Sequence, residues 1–102
     1  MLWYHYVAGF FSALFLSNAV PHFVKGICGD RFPTPFSNPR GKGLSSAPVN
    51  VWWGLFNILV GYLLLRVSKT NPDNCLSMLV FFAGFGFMSV MMGTHFQAKD
   101  KE

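Results

Sequence analysis

Two histidines, His22 and His95, are the residues of this chain best equipped for chemistry. Each stands near the end of an apolar run, and if three such runs cross a membrane in turn, the first and third cross in the same direction. The two imidazoles then reach a similar depth. A pair of imidazoles from two helices can hold a haem iron or another metal ion, and a histidine near an interface can relay protons. Asn18 lies one helical turn before His22, and Asn50 opens the second run at the same level. The plainer alternative is that each histidine hydrogen-bonds a neighbouring helix or meets headgroups, because unpaired polar groups are expensive in lipid. Met88, Met91, Met92 and His95 recur at steps of three, one and three. Thioether and imidazole ligands suit Cu(I), but methionine is equally an adaptable filler of helix interfaces.

Other chemistry is sparse. Asn57 is the most deeply placed strong hydrogen-bonding side chain, and it could line a polar path in an oligomeric transporter or make one interhelical bond. The Arg40-Gly41-Lys42-Gly43 run could cradle a phosphate through backbone N–H groups and two cations. It lacks the Lys-Ser/Thr pair of a P-loop, so nucleotide hydrolysis is not indicated. All four acidic residues, Asp30, Asp73, Asp100 and Glu102, fall outside the apolar runs. No carboxylate pair is therefore available for acid–base catalysis, and no intramembrane carboxylate for a proton- or sodium-coupled pump. Ser12, Ser17 and Ser89 have no base–acid partners for nucleophilic work.

The elements that must position these residues are three long uncharged blocks. Of 102 residues 52% are hydrophobic, only 12% are charged, and twelve are Phe, so a water-soluble domain would lack a charged outer surface. The spans are read at about residues 2–24, 48–66 and 75–96. The first, at 1.5 Å per residue, reaches roughly 35 Å, enough to cross a hydrocarbon core with some tilt. Trp3, Tyr4 and Tyr6 crowd its start, and Trp52-Trp53 mark the second span, as interfacial aromatics do. Pro21 is expected to kink or end the first helix. The fold expected is all-α, a small bundle of three transmembrane helices in a single domain.

Between the first two spans lies a long basic connector, residues 25–47, rich in Pro and Gly. Phe32-Pro33-Thr34-Pro35-Phe36 must be extended or turned, since each Pro disfavours a helical residue before it. Its two Phe suggest a loop lying on the membrane surface. The connector and tail side holds Lys25, Arg31, Arg40, Lys42, Lys99 and Lys101, and the other side only Arg66 and Lys69. That asymmetry predicts a cytoplasmic connector, N-out and C-in. Lys25, Arg31, Arg40 and Lys42 are the expected contacts to anionic lipid headgroups. Nucleic acid is not indicated, because the net charge of +4 flanks apolar spans rather than polar sequence. The two cysteines, Cys28 and Cys75, fall on opposite sides of the bilayer and are not expected to pair. The N-terminus lacks the positive stretch of a cleavable signal.

Small and polar residues mark helix contact faces in lipid. Ala8, Ser12, Ala19 and His22 share a broad face of the first span, and Asn50, Gly54, Asn57 and Gly61 follow at steps of four, three and four in the second. Gly86, Ser89 and Gly93 do so in the third.

The run Val20-Pro21-His22-Phe23-Val24-Lys25-Gly26-Ile27, with Phe32-Pro33-Thr34-Pro35-Phe36 and Asn50-Val51-Trp52-Trp53-Gly54-Leu55-Phe56-Asn57, resembles small uncharacterised bacterial inner-membrane proteins. A looser resemblance, confined to the first span, is to DoxX-like membrane proteins, from which three spans in place of four depart. The resemblance implies a bacterial inner-membrane location and a helical bundle, and it brings no catalytic residues. The expected role is a non-catalytic accessory or scaffold subunit, packing within a larger membrane complex or with copies of itself. The alternatives are a haem- or metal-binding redox protein using His22 and His95, and a small oligomeric transporter.

Overall fold

The first helix starts and stops for local reasons. In the computed structural model α1 covers Trp3–Ile27, and the His5 imidazole reaches back so that its Nδ1 accepts from the Leu2 N–H at 3.0 Å. This closes half of a capping box. Pro21 does not end the helix, which runs on to Ile27. Its last turn is held by packing, as Gly26 lies against the backbone of Ala47 and Val51. Helix α2, Ala47–Ser68, is capped by Ser46, with Pro48 in its first turn, where a missing N–H does no harm. Its exit is Lys69 in the left-handed region, φ 55°. Helix α3, Cys75–His95, is capped by Asn74, whose side chain accepts from the Ser77 N–H at 3.2 Å, and ends in a short 3-10 turn, Phe96–Ala98.

The structure describes residues 2–40 and 42–99. The backbone cradle at Gly41 and the charges of Asp100, Lys101 and Glu102 lie outside the described residues.

All three helices are long and apolar enough to cross a membrane, and the protein is a multi-pass membrane protein. Its longest dimension, 45 Å, matches a bilayer with its headgroup regions, about 40–45 Å. The arrangement is an open layer rather than a closed bundle. Helix α1 packs against both others, while among the described residues α2 and α3 share no helix–helix contact. Helix α2 runs antiparallel to α1, so Ser68 and Thr70 meet Gly9 at one end, and Val51 meets Gly26 at the other. Helix α3 runs parallel to α1, with Gly84 beside Phe10 and Ala13 and Phe96 beside His22.

The helices take more residues than the sequence suggests, leaving residues 28–46 as the connector. Phe32 and Ser45 exchange backbone hydrogen bonds of 3.2 and 3.0 Å, folding the segment into a hairpin-like strap. Phe32, Pro33 and Thr34 are buried by this strap over the ends of α1 and α2, while Pro35 and Phe36 remain outside. The reason is polar as much as apolar. Asn50, inside the first turn of α2, offers its NH2 to the carbonyls of Phe32, Ser45 and Ser46 at 2.9, 3.3 and 3.0 Å.

Candidate functional site

At the strap end of the molecule the polar interior is continuous. Asn50 is fully buried, and its amide orientation is set by the carbonyls around its NH2. Its Oδ1 must then face His22, so His22 Nδ1 donates the 2.9 Å bond between them. In the neutral ring the remaining nitrogen, Nε2, carries the lone pair, which is the form that accepts a proton or ligates a metal. Around His22 stand Phe32, Phe96 and Trp53, with ring centroids at 5.4, 6.2 and 6.4 Å, all edge-on.

One helical turn deeper a second relay joins the same helices. Asn18 donates to Asn57 Oδ1 at 3.1 Å, and Asn57 donates to the Trp53 carbonyl at 2.8 Å. Asn57 is thus committed to bonds inside the molecule, as the interhelical reading requires. Deeper still, Ser12 donates to the Gly61 carbonyl at 2.6 Å. Asn50, Gly54, Asn57 and Gly61 all point at α1 and are buried. A Cβ on Gly54 would lie 2.9 Å from the Phe23 backbone nitrogen, so no larger residue fits without moving the helix.

The third stripe divides. Ser89 meets Ser17, Oγ to Oγ, at 2.9 Å, whereas Gly86 and Gly93 face open space. The close-packed residues of α3 are Ser77 and Gly84, seven positions apart, where a Gly84 Cβ would sit 2.5 Å from the Phe10 carbonyl. Gly84 and Ser77 are visible in the sequence as a pair two turns apart, but the stripe through Gly86 and Gly93 competes with them on equal terms. The Met set also separates. Met88 lines one groove beside α1, Met92 another, and Met91 the outer face of α3.

His22 and His95 do line one cavity of about 290 Å³, with Asn18, Arg40, Trp53 and Phe96. The Phe96 ring stands near both imidazoles, 6.2 Å from His22 and 5.1 Å from His95. Among the described residues no group of three or more His, Cys, Asp or Glu gathers around a common metal position. Two imidazoles suit the axial positions of a haem, or a metal ion whose other ligands come from outside this set. The basic residues Lys25, Arg31, Arg40 and Lys42 are all exposed at this end, and Arg31 donates to the Leu44 carbonyl at 3.4 Å. Cys28 and Cys75 are free thiols at opposite ends of the helices.

One buried side-chain atom stands out among the described residues: the Trp53 indole N–H has no hydrogen-bond partner. Sequence patterning treats Trp53 as an interfacial anchor. The ring instead stacks on Phe56 at 5.6 Å and packs edge-on against Phe36 at 5.2 Å. No protein-family model, curated protein or solved structure matches this chain.

Proposed function

We propose that the protein is a non-catalytic accessory or scaffold subunit that docks α3 against a helix of another membrane subunit or of a second copy. The observation that carries this reading is unequal burial. Within the chain 39% of the apolar window of α1 is covered, against 11% of that of α3. Gly86 and Gly93 leave open space where a neighbouring backbone could approach closely, and small residues drive such approach in lipid. Lys25, Arg31, Arg40 and Lys42 gather at the end where α3 finishes, and Arg66 and Lys69 at the other. By the positive-inside rule the strap faces the cytoplasm of a bacterial inner membrane, N-out and C-in, with anionic headgroups around the four cations.

The test is native mass in mild detergent, after extraction from the protein's own membrane. A defined larger assembly is expected, and Gly86→Ile with Gly93→Ile should dissolve it while leaving the fold intact. A lone monomer in the parent protein overturns the reading.

A second reading has one observation in its favour, the shared cavity of His22 and His95. If these imidazoles hold a haem, the purified protein shows a Soret band that His95→Ala removes. A featureless spectrum sinks it.

A further inference from the structure

A second compartment adjoins the cavity beneath the strap. The walls of that cavity include Asn18 and Trp53, and the same two residues line the second compartment, of about 300 Å³, which runs deeper along α1. The deeper compartment is bounded by Phe11, Leu14, Phe15 and Met88 and is apolar apart from Asn18 and Asn57. From His22 to Phe11 the two together follow about 16 Å of helix. A polar mouth thus adjoins an apolar compartment, on the side of α1 where α2 and α3 do not meet.

The mouth is matched to an acid. Arg40 supplies a planar fork of donors, which suits a carboxylate better than a tetrahedral headgroup does. His22 has Nδ1 committed to Asn50, which leaves Nε2 as the basic atom for a ligand's proton. Among the described residues neither compartment is lined by a carboxylate that would repel an anion. We propose that this cleft binds a single long-chain fatty acid, its carboxyl group between Arg40 and His22 and its chain in the apolar compartment along α1. The proton balance is simple: the carboxyl O–H donates to the lone pair of His22 Nε2, and the other carboxyl oxygen accepts from Arg40. This assignment does not rest on the docking of α3, which is argued from Gly86 and Gly93, whereas Met88 lines the apolar compartment.

The probe is radiolabelled palmitate, added to the purified protein in lipid nanodiscs, with empty nanodiscs as the reference for partition into lipid. Saturable binding near one palmitate per chain is expected. Arg40→Gln should weaken it about tenfold, the worth of one charge-assisted hydrogen bond. Arg40 is exposed, so this variant keeps the fold. Met88→Trp, which fills the apolar compartment without touching the mouth, should also abolish binding. Hexadecanol, with the same chain and no carboxylate, should displace palmitate only at a concentration at least tenfold higher. Binding no different from empty nanodiscs, or unchanged by Arg40→Gln, overturns the proposal. Displacement by hexadecanol at equal concentration overturns the carboxylate assignment, as does tighter competition by a lysophosphatidylglycerol.

Discussion

The two interfaces made by α1 are built on different principles. Against α2 it is latched at three levels, by Ser12 to the Gly61 carbonyl, Asn18 to Asn57 and His22 to Asn50, with close backbone approach at Gly54 between them. Among the described residues it approaches α3 closely at Gly84 and meets it through the Ser17–Ser89 contact. Lipid tails are as apolar as leucine, so burial alone does not hold helices together in a bilayer. Polar latches and tight packing do. The α1–α2 pair with its strap is therefore the folded core, and α3 is a helix attached along one narrow seam.

Several substitutions would break or sharpen that contrast. The largest effect is expected from Asn50→Leu, which strips the partner from His22 and from the strap carbonyls at once. A loss of about 3 kcal/mol or more follows from leaving several buried groups unsatisfied. Unfolding in a denaturing detergent titration would measure it, and faster amide exchange in the strap should accompany it. Gly54→Val comes next, forcing α1 and α2 apart at the Phe23 backbone, with a cost of about 1–3 kcal/mol by overpacking. The matched change Gly86→Ala should leave the monomer unchanged or stabilise it by up to about 1 kcal/mol, since its Cβ meets nothing and alanine favours helix. Equal destabilisation by the two would erase the distinction between the interfaces. The smallest effects belong to single interhelical bonds. Ser12→Ala and Ser17→Ala should each cost about 0.6 kcal/mol, within the range for such bonds in membranes. A larger loss at Ser17 than at Ser12 would reverse the ranking of the two seams.

The histidines show how far sequence patterning reaches into the candidate site. Helical spacing brings Asn18 and His22 to one face, and the start of α2 brings Asn50 to their level. The hydrogen bonds of both pairs run along those lines. Nothing in the spacing indicates that Phe32 and Phe96 close around His22, because Phe32 comes from the non-helical connector and Phe96 stands at the last position of the third span. The unpartnered Trp53 N–H is equally invisible, since Trp at a span end reads as an interfacial anchor.

By itself the sequence determined the elements: three apolar blocks of spanning length, and the stripe of Asn and Gly in α2. These follow from composition and period, which are local properties of a chain. Only the tertiary structure decided which face of α3 meets α1, and it chose Gly84 over Gly86 and Gly93. A helix with small residues on two faces has two comparable ways to pack, and the choice depends on the partner surface presented by Phe10, Ala13 and Ser17. The strap was decided in the same way. Its Pro and Gly residues rule out helix, but its fold over the helix ends rests on Asn50, eighteen residues away from Phe32 in sequence.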